Sequence, residues 1–315
     1  NVGGAFGTKL HAYGDEMAVA AIAVLLGRPV KFICNRLEAF QSDAQAREGE
    51  VTGRIAVDAE GRILAIDAEV LTGVGAQAIY PRSALGEGIQ AATMLGAPYD
   101  IPALRSSLRV AYQNKVPAGA FRGIGQPLAC TVTEQLVDLA AAALAIDPVE
   151  LRRRNYLRPE QLPRTTAGGL QLAALSLGPC LDRLVALMDY DGLRREQQAL
   201  RGRGLYRGIG VATFVEQTAV GATLYGPGDV PITTQDWCQL RIEPSGVVRC
   251  QIGCSDQGQG TLTGIAQIVA AALGLPFEAV TVTAGDSAGP QGGGAWASRG
   301  LAIGGEAALA AGCAL

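Results

Sequence analysis

Four glycine-rich loops, each next to a predicted strand or helix, constrain the fold of this chain more than any other feature. Glycine lets a backbone approach a ligand closely and present bare N–H groups to it. Because Arg and Gln are interleaved with the glycines, we expect the loops to hold one large polar ligand from several sides. The loops are Gly3–Gly7, Gly119–Pro127, Ser255–Gly260 and Gly292–Arg299.

Length and composition bound the class of protein. A chain of 315 residues is too long for one typical core, so we expect two domains or subdomains. Apolar residues make up 49% and charged residues 17%, as in a well-buried globular protein. The net charge of -3 gives no reason to expect nucleic acid or an anionic membrane as a partner. No apolar run reaches the roughly 20 residues that a membrane span needs.

The cysteines and the single histidine argue against metal ligation by side chains. Seven cysteines are spread along the chain without a CxxC pair, and His11 is the one histidine. Zinc and iron–sulfur sites need several such ligands, so we expect none held by this chain. The odd count and the chain length favour reduced, mostly buried thiols in a reducing compartment. For Cys250 and Cys254, four residues apart, ordinary packing is favoured over a metal site, and His11 is favoured as structural.

The order glycine loop, helix, Gly-x-Pro, strand occurs twice along the chain. The first copy predicts a helix that ends near Leu26 and a buried strand over Val30–Cys34. The second copy predicts a helix over Thr261–Leu273 and a strand over Val280–Thr283. We interpret the two copies as a weak internal repeat, with one copy in each subdomain.

Two hairpins and several helices decide the predicted fold class. Both hairpins alternate apolar and polar residues around a turn, so each sheet should bury one face. Helices mixed with antiparallel hairpins favour an α+β fold over a doubly wound sheet. The predicted hairpins are Val51–Val57 with Ile63–Leu71 and Trp237–Ile242 with Val247–Ile252, and the predicted helices include Pro127–Ala145, Pro148–Asn155 and Asp182–Arg203.

Gly258-Gln259-Gly260-Thr261 marks the start of a predicted helix and allows two interpretations. One is anion binding, because the first N–H groups of a helix are free and its dipole favours negative charge. The other is a glycine-rich helix start with Thr261 as the cap. A P-loop is excluded because no Lys-Ser/Thr pair follows a G-x-x-x-x-G pattern, and the third glycine of a dinucleotide-binding fingerprint is absent.

Arg122 lies among the glycines of the second loop, between Phe121 and Gly123. A guanidinium in such a loop can bind an oxyanion through two hydrogen bonds. The alternative is that Arg122 lies at the surface or forms a structural salt bridge. Without other evidence than this loop, that alternative is favoured over oxyanion binding.

Taken together and in this order, the segments resemble the molybdenum-cofactor subunit of the xanthine dehydrogenase / aldehyde oxidase family of molybdenum hydroxylases. Each segment is modestly specific, the series is highly specific, and it covers essentially the whole chain. The segments that carry the resemblance are Gly3–Lys9, Gly119–Pro127, Asp147–Asn155, Gly258–Thr261 and Ala297–Arg299.

The resemblance implies roles for residues at the matching positions. Arg122 matches the loop arginine beside the substrate pocket and is the implied catalytic residue. The Phe6-Gly7 loop resembles the one that lies over the oxo ligand of molybdenum, and two later segments match loops that bind the cofactor. The implied cofactor-binding residues are Gly4, Phe6, Gly7, Gly258, Gln259, Gly260, Thr261, Ala297, Ser298 and Arg299.

The resemblance also implies a cofactor and a chemistry. A molybdopterin, usually with a cytosine nucleotide in bacterial relatives, holds molybdenum with oxo, sulfido and hydroxo ligands. The metal hydroxyl attacks an electron-poor carbon of an aldehyde or N-heteroaromatic, and the inserted oxygen comes from water. Electrons leave through two [2Fe-2S] clusters, usually to FAD, on an iron–sulfur and an FAD subunit or domain. The implied location is the cytoplasm, with the periplasm as the alternative if a partner exports the complex.

Departures from the family pattern narrow the expected activity. Xanthine-oxidising members have a glutamate where this chain has Leu10, which argues against hydroxylation of purines. Copper-containing carbon monoxide dehydrogenases have a cysteine where this chain has Gly123, which argues against a molybdenum–copper site. The first residues are not a signal peptide and look like a cut into a longer chain. In the family the general-base glutamate lies near the C-terminus of the subunit, so the resemblance implies that this chain, which stops at Leu315, is an excised piece that lacks the base and is inactive alone. We expect two molybdenum-cofactor-binding subdomains, residues 1–205 and 206–315, truncated at the N-terminus and the C-terminus respectively.

Two other functions stay open on the sequence. One is a non-catalytic, cofactor-free binding or scaffold module with the same fold. The other is a nucleotide-binding enzyme that uses the loop around Gly258.

Overall fold

A computed structural model describes residues 3–219 and 234–315. The chain forms two compact units, a larger one of residues 11–216 and a smaller one of residues 1–10 and 217–315. The ten N-terminal residues therefore belong with the C-terminal third of the chain. The boundary between cofactor-binding subdomains at residues 205 and 206 stays a prediction.

The larger unit contains a three-stranded sheet, a short hairpin and seven helices. The sheet consists of β1 (Gly49–Val57), β2 (Ile63–Gly75) and β3 (Ala103–Tyr112), and the short hairpin of β4 (Arg164–Thr165) and β5 (Gln171–Leu172). The helices are α1 (Gly14–Leu26), α2 (Arg36–Ser42), α3 (Ala84–Met94), α4 (Gln126–Leu144), α5 (Pro148–Asn155), α6 (Leu177–Leu187) and α7 (Tyr190–Arg201).

The three-stranded sheet combines the predicted hairpin with a parallel strand. β1 and β2 are antiparallel, and their turn closes at Gly61, whose φ of +82° suits glycine. β3 joins β2 in parallel, because the connection between them is long enough to carry α3 over the sheet. Helices together with these pairings confirm the predicted α+β class.

A buried polar network crosses the core between this sheet and its helices. Glu134 of α4 accepts hydrogen bonds from the Tyr99 hydroxyl at 2.5 Å, from Arg152 Nε at 2.9 Å and from the Thr213 N–H at 2.8 Å. Arg152 is 0% exposed, so the Glu134 carboxylate must offset the cost of burying its positive charge. By length and composition α4 could cross a membrane, but its buried face carries Glu134 and packs on β1 and α3, as a core helix does.

The smaller unit repeats this design with a second sheet and two helices. Its described elements are β6 (Cys238–Ile242), β7 (Val248–Ile252), β8 (Val280–Ala284), α8 (Thr261–Leu273) and α9 (Gly300–Ala314). β6 and β7 form the predicted hairpin, and β8 pairs in parallel with β7. α8 ends at Gly274, whose φ is +65°, and the next N–H, that of Leu275, donates to the Ala270 carbonyl at 2.9 Å.

α9 approaches α8 closely because the residues on its buried face are small. Gly304, Gly305, Ala308 and Gly312 are all buried. A β-carbon on Gly312 would lie 2.8 Å from Cβ of Ala272 on α8. This contact leaves no room for any larger residue at that position.

Two predictions of secondary structure are wrong. Val30–Cys34 is not a buried strand: it pairs with no other strand in the described ranges, and within it Phe32 is 49% and Ile33 73% exposed. The first copy of the proposed repeat therefore lacks its strand, whereas the second has α8 followed by β8. The predicted helix over Asp182–Arg203 is interrupted, because Asp189 takes a left-handed φ of +46° and its side chain caps α7 at the Gly192 N–H.

Candidate functional site

The smaller unit brings the first and third glycine loops into contact. The Gly4 N–H donates to the Gln257 carbonyl at 2.8 Å, and a β-carbon on Gly258 would lie 3.9 Å from the Gly4 nitrogen. Gly4 and Gly7 have φ values of +95° and +101°, which are rare for any residue with a side chain. Phe6 between them also has a positive φ, +51°, and its side chain is 57% exposed.

The loop before α8 is shaped by the carboxylate of Asp256. This carboxylate accepts hydrogen bonds from the Gly258 N–H at 2.7 Å and the Leu262 N–H at 3.1 Å. Those N–H groups hold the pKa of Asp256 below its usual range. Gln259 turns its Oε1 atom back to the Gln257 N–H at 2.7 Å, which leaves its amide NH₂ group at the exposed surface of the loop.

Asp256 changes the interpretation of this helix start. One interpretation of the sequence is that free N–H groups at the start of α8 bind an anion, but the Leu262 N–H already donates to a carboxylate of the protein. The other interpretation, with Thr261 as the cap, is wrong, because the N-cap is Gly260 and no side chain caps the helix. Thr261 is buried, at 3% exposed, rather than turned to solvent. The exposed groups of the loop are the backbone of Gly258 and Gly260 and the amide of Gln259.

The fourth loop places two strained residues beside a buried arginine. Ala297 and Ser298 have left-handed φ values of +49° and +54°, and both are exposed. The next residue, Arg299, is 0% exposed, and its backbone N–H donates to the Trp296 carbonyl at 3.1 Å. Consecutive left-handed residues other than glycine are unfavourable, and such strain concentrates at functional sites.

The second glycine loop, which carries Arg122, lies in the larger unit and is anchored from beneath. The Ala120 N–H donates to Nε2 of the buried His11 at 2.9 Å, and the Gly125 N–H donates to Oε1 of Gln90 at 3.1 Å. A β-carbon on Gly125 would lie 2.1 Å from the Glu87 carbonyl of α3, so the loop lies directly on that helix. Burial lowers the pKa of His11, which keeps Nε2 free to accept this hydrogen bond.

Arg122 itself is exposed, and its guanidinium makes no hydrogen bond or ion pair within residues 3–219 and 234–315. A second arginine, Arg47, lies over the Phe121 ring with Cζ 5.0 Å from its centroid. Close to Arg47, Glu87 is 2% exposed, and neither of its carboxyl oxygens has a hydrogen-bond partner of good geometry in the described chain. Burial raises the pKa of Glu87, and the backbone and charge of Arg47 offset part of that rise.

The predicted site residues therefore fall into two groups. The smaller unit collects the ten residues predicted to bind a cofactor, from Gly4 to Arg299, whereas Arg122 belongs to the larger unit. Sequence reasoning missed Asp256 and the buried partner of Arg299, Asp236. The role of Asp256 could have been found, because it lies two residues before Gly258 at the start of a predicted helix. The pairing of Asp236 with Arg299 could not, because the two residues are 63 positions apart and share no local pattern. Within the described ranges no cluster of three His, Cys, Asp or Glu side chains could hold a metal ion.

Comparison with known protein families gives two matches that together span most of the chain. Both family models are described as a molybdopterin cofactor-binding domain, and they match residues 1–156 and residues 183–315. The first match contains the Arg122 loop, and the second contains the third and fourth glycine loops.

Individual relatives are similar over nearly the whole chain. The large subunit of nicotine 6-hydroxylase from Paenarthrobacter nicotinovorans is 34% identical over 97% of this chain, and the carbon monoxide dehydrogenase large chain from Hydrogenophaga pseudoflava is 33% identical over 99%. The crystal structure of quinoline 2-oxidoreductase from Pseudomonas putida 86 matches 98% of the chain with a TM-score of 0.87 and 34% identity. The chain spans only 37%, 39% and 40% of these three proteins, respectively.

Proposed function

Since this chain belongs to the molybdopterin cofactor-binding family of molybdenum hydroxylase large subunits, we propose that it is part of an oxidoreductase that hydroxylates an N-heteroaromatic or an aldehyde with oxygen from water. The observation that carries the proposal is the meeting of glycine loops in the smaller unit, within the two family matches. Two of the relatives are named for nicotine and quinoline, which favours an N-heteroaromatic over an aldehyde.

The residues of the smaller unit fit a large polar cofactor. A β-carbon on Gly3 or Gly260 would meet nothing within 4 Å, so the backbone of both loops is open to a ligand. The N–H groups of Gly4 and Gly258 are already bound within the protein. The donors left on exposed residues are neutral: the backbone N–H groups of Phe6 and Gln259, the Gln259 amide and the Ser298 hydroxyl. Such donors suit a pterin edge and the phosphates of a nucleotide, because both present many hydrogen-bond acceptors.

We assign the binding of the cofactor to these exposed groups. Gly4, Phe6 and Gly7 form one wall, and Gly258, Gln259 and Gly260 a second, joined by the Gly4–Gln257 hydrogen bond. When bound, a molybdopterin would supply the metal and the redox chemistry, and the protein would supply position and electrostatics. The cytosine dinucleotide form is our proposal for the bound species.

We propose that Arg122 orients the substrate and stabilises negative charge that develops on it. The guanidinium is exposed and unpaired in the described chain, while His11 and Gln90 hold its loop at fixed points. A pre-positioned donor of this kind accelerates a reaction more than a mobile one, because it needs no reorganisation during the reaction.

We further propose that the protein works with partner subunits. The relatives are named as large subunits or large chains, which supports a multi-subunit complex. An iron–sulfur subunit with two [2Fe-2S] clusters and an FAD subunit would remove the electrons. Our proposed location is the cytoplasm, with export alongside a partner as the alternative.

The test uses the complete subunit that contains this chain, produced with its partner subunits and with cofactor maturation intact. Molybdenum per protein and the nucleotide released by acid are measured first, followed by oxidation of N-heteroaromatics and aldehydes with an artificial electron acceptor. We expect stoichiometric molybdenum, cytidine monophosphate on hydrolysis, and turnover of an N-heteroaromatic. A mature complex that holds no molybdenum would overturn the proposal and favour a cofactor-free scaffold.

A further inference from the structure

Arg299 and Asp236 form the most deeply buried ion pair in the described part of the chain. Both side chains are 0% exposed, and Arg299 Nη2 lies 3.2 Å from Asp236 Oδ2. Nη1 donates to the Gly294 carbonyl at 2.7 Å, and Nη2 also donates to the Thr234 carbonyl. Nη1 and Nη2 are therefore bound by the protein, and Nε is buried without a partner in the described ranges. Because the side chain is fully enclosed, the guanidinium is not available to a ligand.

This pair fastens the fourth glycine loop to the beginning of β6. Asp236 forms a β-bridge with Gly292, and the Gly293 N–H donates to the Gln235 carbonyl at 2.9 Å. A β-carbon on Gly292 would lie 2.0 Å from Asp236 Oδ1, so the carboxylate rests directly on the loop backbone. Asp236 and Arg299 therefore supply contacts that hold the loop against the segment before β6.

The loop residues that precede Arg299 face outward. Ala297 and Ser298 are exposed and left-handed, and no hydrogen bond joins the Ser298 N–H or hydroxyl to another described residue. Ala297 is held at its carbonyl, which accepts from the Ala219 N–H at 2.9 Å. Strained backbone persists only where the surroundings over-determine it, and the buried anchor at Arg299 is such a surrounding.

We propose that Arg299 is a positioning residue that, paired with Asp236, holds Ser298 in its left-handed conformation so that the Ser298 N–H and hydroxyl bind the cofactor. The inference rests on the proposed function and deepens it. It assigns Ser298 as the direct contact in this segment and places Arg299 behind it.

A purely structural ion pair is the competing explanation, and the chain offers a matched control for it. Arg152 in the larger unit is also 0% exposed, and it also combines a carboxylate, Glu134, with a backbone carbonyl, that of Pro148 at 3.1 Å. Removing a buried guanidinium should destabilise either unit. Only the pair at Arg299 lies next to a loop proposed to hold the cofactor.

The experiment compares Arg299→Lys and Asp236→Asn with Arg152→Lys in the complete, cofactor-matured complex. Three properties are measured: molybdenum per protein, melting temperature and amide hydrogen exchange of residues 292–299. Ser298→Ala is made alone and together with Arg299→Lys. Asp236→Asn keeps the shape of the carboxylate and serves if Arg299→Lys does not fold.

At low cofactor supply, we expect the Arg299 and Asp236 variants to hold about tenfold less molybdenum per protein than the wild type. We also expect their amide hydrogens to exchange faster across residues 292–299. Arg152→Lys should lower the melting temperature while its molybdenum content stays near wild type. Ser298→Ala should add little to the loss in Arg299→Lys, because both changes remove the same contact. Equal molybdenum content in the Arg299, Asp236 and Arg152 variants at matched stability, or losses from Ser298 and Arg299 that add fully, would overturn the inference.

The two proposals fail in different ways. Wild-type complex without molybdenum contradicts the proposed function, and unchanged exchange of residues 292–299 in Arg299→Lys contradicts the positioning role whatever the cofactor content. A loaded wild type with an equally loaded Arg299→Lys variant leaves the proposed function standing and removes only the inference on Arg299.

Discussion

In the Arg122 loop, the side chain proposed to act on the substrate is different from the side chains that hold the loop in place. Arg122 is exposed, whereas His11 and Gln90, which anchor its loop, hydrogen-bond to the backbone on either side of it. The loop can therefore keep its conformation when the guanidinium is removed. Function at this position and stability at its anchors can be tested independently.

Arg122→Ala should impair turnover and leave the fold intact. We expect the melting temperature and molybdenum content of the complete enzyme to stay near wild type while kcat/KM falls by about 10²-fold, because a charge-stabilising donor is lost. Steady-state kinetics per molybdenum provide the measurement. Arg109→Ala, on an exposed arginine of β3, is the control. Loss of cofactor with normal turnover per molybdenum would instead make Arg122 structural.

His11 should make the larger unit less stable in acid. Its pKa in the folded protein is lowered from 6.5 by burial, so the unfolded chain binds the proton more readily. The stabilisation is therefore complete above pH 6.5 and is lost as the pH falls below it. Melting curves between about pH 7.5 and pH 5 test this. His11→Gln keeps an acceptor for Ala120 without titrating in this range, so its pH dependence should be flatter; an identical slope would contradict the assignment.

At the scale of elements, helix ends and helix contacts follow different rules. Asp147 caps α5 through the Val149 N–H at 2.8 Å, and Gly274 ends α8, both within a few residues of the elements they bound. The contact of α9 with α8 instead depends on glycines that meet residues some forty positions away. Helix ends can therefore be predicted from the sequence, whereas the contact between the two helices cannot.

Gly312→Val should weaken the packing of α9 on α8. The new side chain would overlap Ala272, whose Cβ cannot rotate away, so we expect a loss of about 1–3 kcal/mol in the free energy of unfolding. Denaturant titration of the complete subunit measures it. Ala310→Val on the exposed face of the same helix controls for helix propensity. Equal stability of the two variants would show that α9 can shift without cost.

At the scale of the whole molecule, each unit has a core of its own. The core of the larger unit lies around β2, α4 and α5, and that of the smaller unit around β7 and α8. The Glu134 network belongs wholly to the first of these cores. A defect in that network is therefore expected to act first on the larger unit.

Glu134→Ala should destabilise the larger unit by about 3–5 kcal/mol, since Arg152 stays buried without its main counter-charge. Hydrogen exchange of the complete subunit should rise across residues 11–216 before it rises in β6–β8. Glu150→Ala, which removes an exposed pair with Arg154, is the control and should cost about 0.3–0.5 kcal/mol. Exchange that rises equally in both units would contradict separate cores.

Much of the architecture follows from the sequence alone. α5 and α8 have the bounds predicted from the sequence, and for α8 the signals were the glycines on either side of it. Alternation of apolar and polar residues around a turn predicted both hairpins. The order of the glycine loops identified the family that the comparisons confirm. The specific roles assigned to Arg122 and the cofactor-binding residues stay predictions until they are tested.

Local signals determined these features because caps, turns and periodic burial depend on neighbours a few residues apart. Only the tertiary structure decided the parallel pairing of β3 and β8, the exposure of Val30–Cys34, and the burial of Arg299 against Asp236. Each of these depends on a partner far away in the chain, and whether a charged or apolar side chain is buried depends on what covers it. The sequence of a glycine loop does not distinguish an arginine that faces a ligand, as proposed for Arg122, from one that is enclosed by protein, as Arg299 is.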